Sequence, residues 1–316
     1  MTKKYYLQLP PPLKPGDLLR VVAPSGALRE WEALEKGVEI WRARGYQIQL
    51  DGHFDSRCGY LAGGDAQRRK SLAQAWQDPD CKGILCLRGG YGSARLLEDW
   101  RWGDGNSTFK VQNSKLINLQ PSNPKWLIGF SDATGLLWSL AQVGISGVHA
   151  PVITTLAAEP DWSIQRLLDC VEGRPLASLT GRGWGKGKAG GILLPANLTV
   201  ATHFLGTPMQ PYFDGVILAL EDVTEVPYRI DRMLTQWRLC GAFEGVRGIA
   251  LGRFSRCYAP EGVPSWSVEE VLRDRLADLN IPIISDLPFG HDGANAALPV
   301  GQPVQLDADK GTLSWG

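Results

Sequence analysis

Residues 83–93 have the sequence GILCLRGGYGS, in which a short apolar run is followed by Arg88 and then by glycines. Residues 83–87 carry no charge, as is typical of a strand buried on both faces of a parallel sheet. The glycines predict a tight turn at the end of this strand, and residues 93–100 predict a helix after it. A buried strand, a glycine turn and a helix together form the repeating unit of an α/β fold.

The same order of elements recurs on both sides of this stretch. Residues 18–23 (LLRVVA) predict a strand that ends at Pro24-Ser25-Gly26, and the helix that follows has an apolar face made of Trp31, Leu34, Val38 and Trp41. Further predicted strands cover residues 47–50 and 126–130, and further predicted helices cover residues 65–76 and 132–143. This alternation predicts a mostly parallel sheet with helices on both faces.

The sequence of the second half of the chain predicts another α/β domain, with shorter strands. Its predicted strands are residues 215–220, 248–251, 282–285 and 304–306. Its predicted helices are residues 196–205, 230–240 and 268–279, and Ser267 and Glu270 have the spacing of a capping box at the last of them. We therefore divide the chain into an N-terminal domain, residues 1–160, a linker, residues 161–189, and a C-terminal domain, residues 190–316.

Two segments interrupt the alternation. Residues 103–124 are polar and rich in Asn and Ser, which predicts a surface loop or insertion. Residues 181–191 (GRGWGKGKAGG) are basic and rich in glycine. We interpret them as part of a flexible interdomain linker, and a loop that contacts an anion is the functional alternative.

Composition restricts the function. The 316 residues include 33 basic and 33 acidic side chains, so the net charge of zero argues against a protein that binds the phosphate backbone of nucleic acids. With 44% hydrophobic residues the chain can bury a sizeable core, but no apolar stretch approaches the roughly 20 residues of a membrane span. The N-terminus lacks the apolar region of a signal peptide, which favours a cytoplasmic protein. The six cysteines are scattered without metal-binding spacing and are expected to be reduced thiols.

A serine lies where a strand passes directly into a helix. Residues 126–137 read WLIGFSDATGLL, so Ser131 falls on the turn between the two. A side chain there projects above the carboxyl edge of the sheet, and the backbone N–H groups from Asp132 onward face the same point at the positive end of the helix dipole. A nucleophile needs this environment, although serine is also a common N-cap and the sequence is not the G-x-S-x-G motif.

Three further groups could contribute to chemistry. Gly89 and Gly90 let the backbone approach a ligand closely, and their N–H groups could bind an anion or an oxyanion. Glu221 and Asp222 end an otherwise apolar strand, where a carboxylate must be hydrogen-bonded or exposed. His291 lies in a glycine-flanked loop, and His149 is another candidate to line a cleft. The order Ser131, Glu221, His291 is that of the α/β-hydrolases, but order alone does not establish geometry.

Taken together, these segments resemble the LD-carboxypeptidases, the murein tetrapeptide carboxypeptidase family of serine peptidases, which includes the microcin C self-immunity peptidases. The matching pieces span nearly the whole chain: LKPGDLLRVVAPSG (residues 13–26), GILCLRGGYGSARLL (83–97), KWLIGFSDATGLL (125–137), FLGTP (204–208), LEDVTEVPYRIDRMLTQW (220–237) and IPIISDLPFGHDGANAALPVG (281–301).

The resemblance implies a flavodoxin-like N-terminal domain, a smaller C-terminal domain of the swivelling β/β/α type, and an active site between them. It implies that Ser131 is the nucleophile, His291 the base and Glu221 the residue that orients His291. The oxyanion hole would consist of backbone N–H groups of Asp132 and of the Gly89-Gly90 turn. The implied reaction is removal of the terminal D-alanine from a murein tetrapeptide in the cytoplasm, with no metal and no cofactor. The family tendency also suggests a homodimer.

The chain departs from the family pattern in two places. The family commonly has a GGNLS-type stretch, whereas here Gly190 and Gly191 are separated from Asn197-Leu198 by several residues. The segment 103–124 is also longer than the family pattern leads us to expect, and it could border the cleft. A microcin immunity-type peptidase that cleaves an aminoacyl-nucleotide conjugate remains an alternative with the same triad, as does a non-catalytic protein that binds an anion at Gly89 and Gly90.

Overall fold

The computed structural model describes residues 7–103, 123–184 and 186–315. The chain folds as two compact units, Met1–Arg174 and Pro175–Gly316. The insertion predicted at residues 103–124 lies, apart from its ends, outside the described residues. None of the helices in the described ranges has the length and apolar character needed to cross a bilayer.

The first unit contains a parallel sheet. Its strands are β1 (Leu18–Val22), β2 (Gln47–Leu50), β3 (Cys81–Cys86), β4 (Trp126–Gly129) and β5 (Val148–His149). Within the described part of this unit they lie side by side in the order β2-β1-β3-β4-β5, and each neighbouring pair is parallel. This is the strand order of flavodoxin, so the predicted fold is confirmed. Ligands of such sheets bind at the carboxyl ends of the strands, where β1 and β3 diverge.

Helices connect these strands as the alternation predicted. The connecting helices are α1 (Trp31–Ala43), α2 (Asp65–Gln77), α3 (Ser93–Leu96) and α4 (Thr134–Gln142), and α5 (Ile153–Leu156) and α6 (Asp161–Val171) follow β5. Helix α3 is shorter than predicted. In α1, Leu34, Val38 and Trp41 are buried as expected, but Trp31 is exposed and its ring lies 5.4 Å from that of Phe54.

The second unit contains a mixed sheet. Its strands are β6 (Leu179–Thr180), β7 (Arg182–Trp184), β8 (Lys188–Asn197), β9 (Val216–Val223), β10 (Gly248–Ser255), β11 (Ile283–Ser285), β13 (Pro303–Asp307) and β14 (Thr312–Trp315). The two-residue strand β12 (Leu298–Pro299) is not part of this sheet. Its helices are α7 (Leu198–Phe204), α8 (Pro227–Leu239) and α9 (Val268–Leu276).

The described sheet of this unit has the order β6-β14-β13-β8-β9-β10-β11-β7. Its central strands β8, β9, β10 and β11 are parallel, and the flanking strands pair antiparallel. The predicted capping box is present at the start of α9, where Ser267 and Glu270 bond each other's backbone N–H groups. The central strands β9 and β10 are fully buried over most of their length and contribute Ile217, Ala219 and Ala250 to the core.

The segment predicted to be a linker, residues 161–189, differs from that expectation. It contains α6 in the first unit and β6 and β7 in the sheet of the second, and the division falls at Arg174 and Pro175. Its glycines serve close packing. A Cβ at Gly183 would lie 1.8 Å from the carbonyl oxygen of Ala308, and one at Gly181 would lie 2.2 Å from that of Ser285. Here glycine marks a site where two backbones approach closely within a sheet.

Candidate active site

Ser131 occupies a strained turn at the carboxyl end of β4. Its φ is +60°, a conformation that a residue other than glycine rarely adopts and that is associated with functional sites. One 3₁₀ turn, Ser131–Ala133, leads directly into α4. Gly129 makes the turn possible, because a Cβ there would lie 2.9 Å from Cys86 Sγ and 3.0 Å from Ala133 Cβ. The chain thus forms a sharp strand–turn–helix junction with serine at its apex, the arrangement of a nucleophile elbow.

The turn after β3 lies next to this serine. A Cβ added to Gly89 would be 2.9 Å from Ser131 Oγ, 3.0 Å from Ser131 Cβ and 4.0 Å from the Asp132 backbone nitrogen. Gly90 has φ +112°, which favours glycine. Because β3 and β4 are adjacent parallel strands, their carboxyl ends meet at the same edge of the sheet. The structure therefore brings Gly89, Ser131 and Asp132 together, as an oxyanion hole at this serine would require.

Two buried side chains hold the loops around Ser131. The Asp132 carboxylate accepts a hydrogen bond from Ser93 N at 2.8 Å, and Ser93 Oγ donates to the Asp132 carbonyl. The Arg68 side chain is only 1% exposed and donates to the carbonyl oxygens of Pro24, after β1, and Gly92, after β3. Sequence reasoning missed Arg68. The sequence did contain a signal: Arg68 has the helical spacing that puts it on the same buried face of α2 as Ser71, Leu72 and Ala75.

In the second unit, Glu221 and His291 form a hydrogen-bonded pair in which the carboxylate is buried and the imidazole is partly exposed. Glu221, on β9, is 0% exposed, and its Oε2 lies 2.7 Å from His291 Nδ1. A carboxylate in its ionised form only accepts hydrogen bonds, so opposite that form Nδ1 would carry the imidazole proton and Nε2 would be the basic nitrogen. The other carboxylate oxygen, Oε1, accepts from Asn197 Nδ2 at 3.2 Å. Gly290 permits this approach, since a Cβ there would lie 2.9 Å from Glu221 Cβ.

Asp222 has different partners. Its Oδ2 accepts from both the backbone N–H and the hydroxyl of Thr199, each at 2.8 Å, and its Oδ1 accepts from Val223 N at 2.7 Å. Burial, reinforced by the nearby charge of Glu221, raises the pKa of Asp222 to about 6. Asp222 thus secures the first turn of α7, whereas Glu221 faces the histidine.

Asn197 joins the two carboxylates. Its Nδ2 donates to Glu221 Oε1 and to Asp222 Oδ1, both at 3.2 Å, and its Oδ1 caps α7 by accepting from Val200 N. The glycines 190 and 191, which the family pattern places beside this asparagine, lie on the same strand, β8. Parallel pairing of β8 with β9 sets Asn197 opposite Glu221. Sequence reasoning noted Asn197 but assigned it no role.

The remaining candidates are a buried histidine and the cysteines. His149 is fully buried on β5, and its ring packs against Phe130 at a centroid distance of 5.8 Å. Within residues 7–103, 123–184 and 186–315, no group of three or more His, Cys, Asp or Glu side chains is arranged to hold a metal ion. The six cysteines are all free thiols. Burial raises the pKa of Cys86, beneath the Ser131 turn, to about 12, so its thiol is protonated at neutral pH.

The structure thus presents two sets of groups. The first unit holds Ser131 with Gly89 and Asp132 beside it, and the second holds the Glu221–His291 pair. A serine on a strained turn and a histidine hydrogen-bonded to a buried carboxylate are the parts of a serine hydrolase.

Comparison with protein families identifies the class. The LD-carboxypeptidase N-terminal domain matches residues 19–150, and the LD-carboxypeptidase C-terminal domain matches residues 190–306. The chain belongs to the LD-carboxypeptidase family, peptidase family S66, and is a carboxypeptidase-type hydrolase.

Individual relatives agree with this assignment. A Synechocystis sp. protein named "Putative carboxypeptidase" is 60% identical over 99% of this chain and 98% of its own length. The murein tetrapeptide carboxypeptidase of Pseudomonas aeruginosa is 31% identical, covering 93% of this chain and 94% of its own.

Solved structures share the fold. The muramoyltetrapeptide carboxypeptidase from Oxalobacter formigenes superposes with a TM-score of 0.80 at 27% identity, over 94% of this chain and 97% of that one. The protein MccF in complex with glutamyl sulfamoyl guanosine superposes with a TM-score of 0.83 over 98% of both chains. At 19% identity, this second likeness shows the fold alone.

Proposed function

We propose that this protein is a serine LD-carboxypeptidase that releases the terminal D-alanine of murein tetrapeptides during cell-wall recycling. The observation that carries the proposal is the strained Ser131, with the Gly89 backbone beside its hydroxyl, in a chain that also holds His291 at 2.7 Å from the buried carboxylate of Glu221. The names of the Pseudomonas and Oxalobacter relatives support the choice of a murein peptide as substrate. From the family resemblance we further propose a cytoplasmic homodimer.

The first half of the proposed reaction forms an acyl-enzyme. Ser131 Oγ attacks the carbonyl carbon of the L-centre that precedes D-alanine, and His291 Nε2 accepts the hydroxyl proton. The carbonyl oxygen becomes an oxyanion, which backbone N–H groups of Asp132 and of the Gly89-Gly90 turn stabilise. Such donors contribute several kcal/mol in comparable sites. The C–N bond then breaks as the imidazolium returns its proton to the leaving nitrogen, and D-alanine departs.

The second half regenerates the enzyme. Water donates a proton to His291 Nε2 as its oxygen attacks the ester carbonyl, and the second oxyanion occupies the same backbone site. The C–O bond to Ser131 breaks, Oγ regains a proton from the imidazolium, and the tripeptide acid is released. In both halves Glu221 keeps the Nδ1 proton in place and stabilises the imidazolium. A carboxylate that is 0% exposed suits this purpose, because little solvent screens its charge from His291.

Incubation of the protein with purified murein tripeptide, tetrapeptide and pentapeptide, with mass detection of D-alanine, tests the proposal. We expect release from the tetrapeptide, and none from a Ser131→Ala variant. A fluorophosphonate probe should label Ser131 in the native protein.

Two other outcomes would refute the proposal in different ways. Cleavage of an aminoacyl sulfamoyl nucleoside without cleavage of the tetrapeptide would make the protein an immunity-type peptidase. Tight binding of phosphate, without labelling of Ser131 and without any hydrolysis, would make it an anion-binding protein.

A further inference from the structure

We propose that Arg253 is a positioning residue that fixes the backbone of the loop carrying His291; the inference rests on the proposed function. The Arg253 guanidinium donates to three carbonyl oxygens of this loop. Nε bonds the His291 carbonyl at 2.9 Å, and Nη2 bonds the Gly290 carbonyl at 2.9 Å and also the Ala294 carbonyl. A second donor, Ser255 Oγ, bonds the same His291 carbonyl at 2.6 Å.

The shape of the loop explains why it needs such a group. Residues 288–296 form a compact excursion that is closed by a bond from Ala296 N to the Pro288 carbonyl at 2.9 Å. Inside it, φ is positive at Gly290 (+103°), Asp292 (+55°) and Gly293 (+156°). The chain therefore turns back on itself so that several carbonyl oxygens point inward. Partial negative charges that converge in this way repel one another unless a cation or a set of donors lies among them.

An irregularity in strand β10 places Arg253 next to the loop that carries His291. The register between β10 and β9 shifts between Leu251 and Phe254, which marks an irregularity of the bulge type. Gly252 lies within it, and a Cβ there would be 2.6 Å from both the ring and the carbonyl oxygen of Phe289. The absence of this Cβ lets Arg253 N donate to the Phe289 carbonyl at 2.9 Å. Strand β10 thus lies directly against the start of the His291 loop.

The connection to catalysis is geometric. His291 Nδ1 must stay at hydrogen-bond distance from Glu221, which is fixed in the fully buried part of β9. The His291 carbonyl is bonded by both Arg253 and Ser255, so these two residues hold the backbone from which the imidazole extends. The planar guanidinium can bond several acceptors at once, and lysine cannot reproduce that fork. A displacement of about 1 Å at a reacting group can lower a rate about 10²-fold.

The test compares Arg253→Met with a matched control, Arg256→Met, in the full-length protein. Arg256 is three residues along the chain and its Nε pairs with Asp292, the residue after His291, at 3.0 Å. Both side chains of that pair are exposed, at 54% and 45%, so the control removes the same charge from a contact that water screens. We expect Arg253→Met to lower kcat on murein tetrapeptide about 10²-fold with little change in KM, and Arg256→Met to behave as the wild type.

A second readout follows His291 itself and needs no turnover. The proton shared by His291 Nδ1 and Glu221 should give a proton NMR signal far downfield of the amides, assigned by its loss in His291→Gln. We expect this signal to shift or vanish by exchange in Arg253→Met and to stay unchanged in Arg256→Met. Arg253→Lys should recover part of kcat, because an ammonium still reaches some of the carbonyls.

The outcomes separate the inference from the proposed function. Wild-type kcat and an unmoved downfield signal in Arg253→Met would overturn the positioning role. If that variant does not fold, Arg253→Lys and Ser255→Ala take its place, and wild-type behaviour in both would overturn the role equally. A wild-type protein inactive on every murein peptide, whose downfield signal still responds to Arg253→Met, would refute the proposed substrate and support the positioning role.

Discussion

Replacing Glu221 with Gln removes one buried charge and almost no volume, so it tests the proposed orienting residue directly. The carboxylate accepts at both oxygens, from His291 Nδ1 at 2.7 Å and from Asn197 Nδ2 at 3.2 Å. A glutamine amide has one oxygen, which accepts hydrogen bonds, and one NH₂ group, which donates them, in place of the two carboxylate oxygens. If its nitrogen faces His291, the imidazole must carry its proton on Nε2, which then cannot accept the Ser131 proton. If its oxygen faces His291, its nitrogen meets the amide nitrogen of Asn197, which is also a donor.

These contacts determine how far kcat of Glu221→Gln should fall. A hydrogen bond to a charged group contributes about 1.5–3 kcal/mol, so losing the charge opposite the imidazolium lowers kcat by roughly 10- to 150-fold. The unfavourable tautomer adds to this loss, and in a comparable triad the equivalent change lowers kcat about 10⁴-fold. We therefore expect kcat of Glu221→Gln to fall by about 10³- to 10⁴-fold, while KM changes little because Glu221 is fully buried.

The matched control is Asp222→Asn, the same chemical change at the next residue. Asp222 bonds the first turn of α7 through Thr199 and does not bond His291. We expect its kcat to stay within about tenfold of the wild type. D-Alanine release, measured on both variants after circular dichroism shows them to be folded, decides the assignment. A larger loss of kcat in Asp222→Asn than in Glu221→Gln would refute the reasoning.

The remaining predictions concern the oxyanion turn, metal dependence and acid stability. Gly89→Val should lower kcat by at least about 10²-fold in a folded protein, because its Cβ would lie 2.9 Å from Ser131 Oγ. If instead the wild type binds phosphate tightly, and Gly89→Val loses this binding but keeps its kcat, the turn is an anion site. Hydrolysis should survive exhaustive chelation, and loss in EDTA with recovery in zinc would contradict the triad mechanism. Hydrogen bonds from Arg44, Arg174 and Tyr46 lower the pKa of Glu172, whose side chain is 8% exposed, from 4.5 to about 2. The lowered pKa means that Glu172 stabilises the fold fully above about pH 4.5 and loses this contribution, at most about 3 kcal/mol, as pH falls toward 2. Urea unfolding across this range should therefore show a smaller pH dependence for Glu172→Gln than for the wild type, and equal dependence in both would contradict the assignment.

The outline of the fold and the positions of the candidate residues could be predicted because they depend on local patterns. Continuous apolar runs that end in glycine or a polar residue predicted β1, β3 and β4 and the turns that follow them. The carboxyl ends of β3, β4 and β9 carried Gly89, Ser131 and Glu221. A residue at the carboxyl end of a buried strand must be exposed at the sheet edge or hydrogen-bonded, so its chemistry is visible in the sequence.

The linker prediction failed because glycine has two opposite uses. In residues 181–191 it was interpreted as a source of flexibility, but Gly183 lies against Ala308 and Gly191 against Gly215, where no side chain would fit. The sequence pattern around a glycine is the same in both cases. Only the neighbouring strand, which is distant in sequence, distinguishes a flexible glycine from one required for close packing.

Sequence alone therefore determined the alternation of strands and helices and the turns where chemistry could lie, since each depends on residues within a few positions of one another. The apolar pattern of the strand did not decide which of two adjacent carboxylates, Glu221 or Asp222, faces His291, a choice that came from the family resemblance, and the sequence did not single out Arg68 or Arg253. Those choices depend on strand register and on long side chains that reach loops distant in sequence, as Arg253 reaches His291 across 38 positions. Such contacts exist only after the strands have paired, because pairing brings the separate loops to the same edge of the sheet.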